Sequence, residues 1–260
     1  MELYYREYGS PRTDRPCLIF LHGLFGSSIN WHSIARKFED EWHIVIPDLR
    51  NHGRSPHSES MDYIVMAEDV HDLLDTLEID QAILIGHSMG GKTAMLLAMN
   101  QTDLVRALIV VDIAPVAYAH EFDGILAGFT AVDLDSIANR SEADAMMAEK
   151  ISHPGIRQYL LQNLSRDEGA WRWRLNLPVI DRCMDEIKGF PGCHEKAYAG
   201  PTLILRGERS DYVLSEHKPV INACLSRVSL ETIPGVGHWV YAEAPEAFVS
   251  AINRFLGQLN

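Results

Sequence analysis

The sequence lacks any excess of basic residues and any long apolar run. Its 260 residues carry 23 lysines and arginines against 36 aspartates and glutamates, a formal net charge of -13. Nucleic acid and anionic membrane surfaces repel such a chain on average, so we expect neither as a partner. No stretch approaches the roughly 18 apolar residues of a membrane span, and the charged N-terminal residues differ from a signal peptide. We therefore expect a cytoplasmic protein.

The chain is also poor in cysteine. Cys17, Cys183, Cys193 and Cys224 form no CxxC pair and have no histidine at metal-ligand spacing. We expect reduced, mostly buried thiols rather than a disulfide framework, and no metal or cofactor. With 47% apolar and 23% charged residues, the composition is that of an ordinary folded protein, long enough for one domain with an insertion.

Short apolar runs alternate with helix-like stretches over most of the chain. The runs CLIFLHG, HIVIPD, AILIGHS, ALIVVDIAP, TLILRGE and SLETIPG are typical of strands buried on both faces of a mainly parallel sheet. Between them, apolar residues recur at helical spacing, as at Val70, Leu73, Leu74 and Leu77. This alternation predicts an α/β fold. The first residues, LYYREY, alternate more strictly and fit an antiparallel edge strand.

The alternation stops after ALIVVDIAP and resumes only at PTLIL. Helix-like stretches fill the interval, followed by the aromatic segment WRWRLNLP. Because ligands bind at the C-terminal edge of parallel sheets, we interpret residues 116–199 as a helical cap over that edge, inserted after the sixth strand. Residues 1–115 and 200–260 then form the core domain.

Ser88 is the candidate nucleophile, in the pattern G-x-S-x-G of Gly86-His87-Ser88-Met89-Gly90. With Gly and Ser each about 7% of residues, chance produces this pattern in roughly one chain of this length in ten. Here it follows the run AILI and precedes the helix-like GGKTAMLLAM, the strand–turn–helix setting of a nucleophile elbow. A side chain at either glycine would collide with neighbouring backbone in so sharp a turn. The alternative is a plain glycine turn that packs a helix on the sheet.

His238 is the candidate general base, since a serine hydroxyl attacks readily only when a base takes its proton. It lies in the glycine-containing segment GVGHW after the last strand-like run, where a loop can fold back over the elbow. Nucleophile, acid and histidine occur in that chain order in this fold. Of the rival histidines, His22 and His87 precede or flank the motif, and His52, His57 and His71 lie earlier in turns or on a helix. A solvent-facing or merely hydrogen-bonded role suits each of them better.

Two carboxylates are candidates for the acid that orients the histidine. Asp112 ends the run ALIVVD at the C-terminal edge of the sheet, although it could instead cap the following turn. The more usual slot, three residues after Gly207, holds Ser210, and Asp211 follows one position later. We prefer Asp112 and keep Asp211 as the alternative.

Acyl transfer also needs hydrogen-bond donors for the oxyanion, and losing one typically costs about 100- to 1000-fold in rate. The backbone N–H of Met89, directly after the nucleophile, is one candidate. The N–H of Leu24 is the other, because the glycines of HGLFG let that loop turn inward. The alternative for HGLFG is a tight turn that binds no ligand.

Three further side chains lie next to these candidates in sequence. Phe25 and Trp239 adjoin proposed site residues, so we predict that they line an acyl pocket, although aromatic residues more often belong to the core. Lys92 lies one turn into the predicted elbow helix. A surface or supporting role suits Lys92 better than catalysis.

The motifs HGLFGS, PDLRNHGRSP, IGHSMGGK, VVDIAPV and GVGHWVYAEAP occur in this order. Together they resemble the compact bacterial acyl esterases of the YbfF type, within the α/β-hydrolase superfamily, over nearly the whole chain. VVDIAPV combined with HGLFGS is the narrowest part of the resemblance. It implies a capped serine esterase that cleaves short acyl esters and thioesters, with the acid taken from the earlier strand at Asp112. Asp211, beside the usual slot, departs from that pattern.

We therefore expect a serine esterase that hydrolyses short- to medium-chain esters or thioesters, acyl-CoA among them, through an acyl-enzyme on Ser88. Its partner is a small-molecule substrate. The net charge of -13 suits a CoA ester only if a local cluster, for which Arg172 and Arg174 are candidates, receives the phosphates. Carbon–carbon bond hydrolysis, perhydrolysis and a slowly hydrolysing ligand receptor are alternatives on the same residues.

Overall fold

A seven-stranded sheet lies at the centre of the computed structural model, which describes residues 1–193 and 197–259. The strands in chain order are β1 (Tyr5–Tyr8), β2 (Cys17–Leu21), β3 (Ile44–Pro47), β4 (Ala82–His87), β5 (Val105–Val111), β6 (Leu164–Asp167), β7 (Ala170–Trp173), β8 (Tyr198–Gly207) and β9 (Leu225–Ile233). The spatial order of the sheet is β1-β3-β2-β4-β5-β8-β9, and β6 and β7 form a separate hairpin. Only the β1–β3 pairing in the sheet is antiparallel among the described strands. The predicted α/β fold, its mainly parallel sheet and its antiparallel edge are confirmed.

Helices cover both faces of the sheet. They are α1 (His32–Ala35), α2 (Tyr63–Thr76), α3 (Met89–Asn100), α4 (Asp123–Thr130), α5 (Arg140–Ala148), α6 (Pro154–Leu161), α7 (Leu177–Arg182), α8 (Met184–Lys188), α9 (Lys218–Cys224), α10 (Val240–Glu243) and α11 (Pro245–Gly257). Alternate residues of β2 enter opposite cores: Ile19 and Leu21 pack with α2 and α3, whereas Leu18 and Phe20 pack with α11. Because both faces are buried, the inner strands show no polar alternation.

The chain leaves the sheet after β5 and returns at β8. Helices α4 to α8 and the β6–β7 hairpin lie in this interval. The insertion follows the fifth strand in the described chain, which corrects the predicted sixth. A single edge strand, the four-residue β1, precedes β2, so β5 is the fifth strand in chain order.

The hairpin inside the insertion was not predicted. Trp171 and Trp173 of β7 alternate with Arg172, and this period of two is that of a strand. Glu168 and Gly169 connect β6 to β7 with φ values of 47° and 90°, the left-handed values that a two-residue hairpin turn requires. The aromatic segment therefore begins in a strand, although the rest of the insertion is mostly helical.

Two of the four cysteines are paired. A disulfide joins Cys193, after the insertion helices, to Cys224 at the end of α9, with Cα atoms 4.9 Å apart, so the expectation of four reduced thiols is wrong. Cys17 and Cys183 are free. Disulfides are rare in the cytoplasm, and the predicted cytoplasmic location stays a prediction. None of the described helices is both long and apolar enough to cross a membrane.

Gly90, in the first turn of α3, allows the elbow helix to approach β2. A Cβ on Gly90 would lie 2.5 Å from the carbonyl oxygen of Leu21 and 2.6 Å from that of His22. Because backbone atoms cannot give way cheaply, we expect Gly90→Ala to lower the free energy of unfolding in urea by about 2–3 kcal/mol.

Gly124→Ala is the matched control, because nothing lies within 4 Å of a Cβ added at Gly124. That variant should change the free energy of unfolding by less than about 1 kcal/mol. Equal losses at Gly90 and Gly124 would contradict the close approach described here.

Candidate active site

Ser88 occupies the turn between β4 and α3 in a strained backbone conformation. Its φ of 51° and ψ of -118° are unfavourable for a residue with a side chain. The turn is held on both sides, because the Ser88 N–H donates to the carbonyl of Val111 at 3.0 Å and the Lys92 N–H donates to the carbonyl of Ser88 at 3.1 Å. This strand–turn–helix geometry keeps the partly buried serine at the C-terminal edge of the sheet.

Asp112 and His238 meet beside this turn. His238 Nδ1 lies 2.8 Å from Asp112 Oδ2. The carboxylate, which is fully buried, also accepts the N–H of Gly207 at 2.9 Å and the hydroxyl of Ser210. These three donors offset the cost of burying a carboxylate. Since the carboxylate accepts, the proton of a neutral His238 ring lies on Nδ1, and Nε2 keeps its lone pair.

Asp211, the alternative acid, lies apart from His238. Its side chain is 72% exposed, and its Oδ2 is 3.4 Å from Nε2 of His120. Within the described part of the chain no hydrogen bond joins Asp211 to His238. Ser210, which occupies the usual acid slot, instead binds the carboxylate of Asp112. The structure therefore brings His238 to Asp112 and not to Asp211.

Two buried histidines hold the HGLFG loop in place. His52 Nε2 accepts the N–H of Phe25 at 3.1 Å. His22 Nδ1 donates to the carbonyl of Gly23, and its Nε2 accepts the N–H of Leu49, both at 2.9 Å. Burial lowers the pKa of both rings, that of His52 to about 3, so both stay neutral and keep these bonds.

The N–H groups of the two predicted oxyanion donors take no part in these bonds. The N–H of Phe25 is taken by His52, whereas those of Leu24 and Met89 have no acceptor among residues 1–193 and 197–259. Leu24 and Met89 line the same cavity as Ser88. A helix N-terminus such as that at Met89 favours negative charge, so the arrangement can receive an oxyanion.

The cavity beside Ser88 is narrow, with a volume of about 30 Å³. Its walls come from the core helices α2 and α3, from helix α8 of the insertion and from the loops after β5 and β8. Tyr63, Lys92, Tyr118 and Tyr212 contribute to the lining. Its lining combines apolar and aromatic side chains with polar groups that converge beside Ser88, a combination typical of a small-molecule site.

The two predicted pocket aromatics do not line this cavity in the described chain. Phe25 is buried, and its ring centroid lies 6.3 Å from that of Phe122 and 5.4 Å from that of Phe129. Trp239 packs near Tyr159, with ring centroids 5.9 Å apart. Phe25 therefore joins the HGLFG loop to the insertion, and substrate contact by either residue stays a prediction.

Sequence reasoning missed two side chains that hold His238. The ring of Tyr212 stacks on that of His238 with centroids 3.9 Å apart. Nε2 of His87 donates to the carbonyl of His238 at 3.0 Å, and burial lowers the pKa of His87 well below its ordinary value. In the sequence, Tyr212 is marked only by its position two residues after Ser210. His87 is marked by its position inside the motif that contains Ser88.

The fold and this site define the class of protein. The family model for the α/β hydrolase fold matches residues 16–245, so the chain belongs to the α/β hydrolase family. Among the described residues, no group of three or more His, Cys, Asp or Glu side chains is arranged to hold a metal ion.

Relatives narrow the class further. The chain is 39% identical to the sn-1-specific diacylglycerol lipase ABHD11 of Mus musculus, covering 93% of this chain and 81% of that protein. It is 38% identical to the esterase YbfF of Escherichia coli strain K12, covering 92% of each. A marine microorganism esterase of known structure superimposes with a TM-score of 0.94 at 36% identity, covering 98% of this chain and 99% of that one. The chain is a carboxylic ester hydrolase, as predicted.

The buried histidines make stability depend on pH. Below about pH 6.5 the unfolded chain binds protons that the buried rings do not, so stability falls as pH decreases, by up to about 1.4 kcal/mol per pH unit for each ring. For His52 this loss continues down to its folded pKa of about 3. We expect His52→Gln to reduce the slope, since Gln can still accept the N–H of Phe25.

The measurement is the free energy of unfolding in urea at pH values from about 7 to about 5. His71→Gln, at a ring on α2 that is 32% exposed, is the control and should leave the slope of the native chain unchanged. An identical slope in the His52 variant and the native chain would contradict the neutral, buried ring.

Proposed function

We propose that the chain is a serine esterase that hydrolyses short- to medium-chain carboxylic esters or thioesters through an acyl-enzyme on Ser88. The 2.8 Å contact between His238 Nδ1 and Asp112 carries this proposal. It leaves Nε2 of an oriented imidazole to take the serine proton. In this proposal Asp112 is the triad acid, and Asp211 has no catalytic role.

The proposed reaction has two steps. In the first, His238 takes the proton of Ser88 as the serine oxygen attacks the acyl carbonyl carbon, and the N–H groups of Leu24 and Met89 stabilise the oxyanion. His238 then protonates the departing alcohol or thiol, which leaves an acyl-enzyme. In the second step a water loses a proton to His238, attacks the acyl group and releases the carboxylic acid, which restores Ser88.

We propose that residues 116–199 act as a cap and residues 1–115 and 200–260 as the catalytic core. Helix α8 and the loop after β5 supply part of the cavity wall, which supports this division. The narrow cavity, of about 30 Å³, favours a short or medium acyl chain over a long one. The diacylglycerol lipase relative makes a glycerol ester a substrate to include in the assays.

The proposal is tested by steady-state hydrolysis of p-nitrophenyl acetate, butyrate and octanoate. We expect multiple turnovers by the native chain and none by Ser88→Ala, with the octanoate turned over more slowly than the butyrate because the cavity is small. Folding of the variant is checked by thermal unfolding. Absence of turnover on every ester would contradict the proposal and favour a ligand receptor or a non-ester reaction.

The choice of acid is tested by a matched pair of variants. Asp112→Asn removes the charge that holds the Nδ1 proton of His238, and we expect a fall in kcat of about 10,000-fold. Asp211→Asn, at a side chain that is 72% exposed, should leave kcat nearly unchanged. The reverse ranking in the same ester assay would assign the acid to Asp211.

We propose acyl-CoA as one thioester substrate, with Arg174 near its phosphates. Burial and the charge of nearby Arg54 lower the pKa of Arg174, which supports a locally positive surface. Arg172 already pairs with Asp167 in the hairpin. We expect Arg174→Gln to raise KM for butyryl-CoA several-fold and to leave KM for p-nitrophenyl butyrate unchanged. Arg172→Gln should have little effect on KM for either substrate. Equal effects on both substrates would contradict phosphate binding.

A further inference from the structure

A lysine is buried beside the proposed nucleophile. Lys92 follows Ser88 by one turn of α3 and lines the same cavity. Its side chain is 1% exposed. Because taking an ammonium out of water is costly, lysine is almost never fully buried unless it is paired.

The ammonium of Lys92 has hydrogen-bond acceptors but no counter-ion. Nζ donates to the carbonyls of Lys188 at 2.8 Å and Gly189 at 2.5 Å, and the ring centroids of Tyr63 and Tyr118 lie 5.4 and 4.8 Å from it. No ion pair joins Lys92 to a carboxylate in the part of the chain that the structure describes. An ammonium has three donors, so one N–H remains without an acceptor among the described residues. Burial lowers the pKa of Lys92 to about 7.

The other ionisable side chains at the cavity do not supply the missing negative charge. Besides Lys92, the described lining includes Lys188 and His120, and no aspartate or glutamate. Lys188 pairs with Asp185, which is 93% exposed, and His120 lies 3.4 Å from Asp211, which is 72% exposed. The cavity therefore has a positive lining in a chain of net charge -13.

We propose that Lys92 binds a carboxylate at the far end of the acyl group, so that the preferred substrates are half-esters or half-thioesters of short dicarboxylic acids. This inference rests on the proposed esterase function. With the acyl carbonyl at Ser88, the remaining N–H of Lys92 forms a charge-assisted hydrogen bond to the carboxylate. An alkyl chain of the same length leaves the buried charge unpaired.

Substrates matched in acyl carbon number test the proposal. Monoethyl succinate, glutarate and adipate are compared with ethyl butyrate, valerate and hexanoate, and kcat/KM is measured by proton release. The variants are Lys92→Met, which keeps the side-chain length without charge, and the control Lys37→Met, which removes a surface lysine paired with Glu246 at 2.8 Å.

We expect the native chain to favour at least one half-ester over its matched alkyl ester. Lys92→Met should lower that preference, the ratio of kcat/KM for the half-ester to kcat/KM for its matched alkyl ester, about tenfold or more. Lys37→Met should leave the preference unchanged, which separates a local contact from an effect of net charge.

A native preference for every alkyl ester, or a half-ester preference that survives in Lys92→Met, would overturn the proposal. If Lys92→Met does not fold, as judged by circular dichroism, the preference of the native chain alone decides. Turnover of alkyl esters with none of any half-ester rejects only the assignment of Lys92. Turnover of neither set, nor of p-nitrophenyl esters, rejects the esterase function itself.

Discussion

The hydrogen bond between Asp112 and His238 connects residues 126 positions apart, and the geometry of the whole site depends on it. Asp112 follows β5 and His238 follows β9, with β8 between these strands in the sheet. The two side chains meet because parallel strands end at one edge. Asp112 is buried with three donors, so loss of His238 would leave a buried carboxylate less well satisfied. Loss of Asp112 would remove the acceptor of the Nδ1 proton of His238.

A rigid frame holds the strained residues around this bond. Ser88 and Asp112 have φ values of 51° and 53° at the ends of the paired strands β4 and β5. Left-handed backbone in residues with side chains persists only where the surroundings determine it. The buried strands provide that determination at Ser88 and Asp112. The neutral rings of His22 and His52 hold the HGLFG loop, so this loop and the serine turn are both organised in the free protein.

Local patterns carried most of what the sequence predicted. Alternating buried strands and helices gave the fold, and the strand–turn–helix setting of Ser88 gave its elbow. The predictions that needed tertiary contacts were weaker. Nothing near Cys193 in sequence reveals that Cys224 lies beside it, 31 residues away. Lys92 looked like a surface residue because its acceptors, the carbonyls of Lys188 and Gly189, lie 96 and 97 residues further along.

The most direct test of the central claim is to trap the nucleophile covalently. The native chain is treated with a fluorophosphonate, digested and mapped by mass spectrometry, and the rate of labelling is compared with that of Asp112→Asn. We predict a single label on Ser88. It should form far more slowly in the variant, because the hydrogen bond from His238 Nδ1 to the Asp112 carboxylate, which orients the imidazole to take the serine proton, is weakened. A label on another residue, or an unlabelled Ser88 in a chain that still hydrolyses esters, would contradict it.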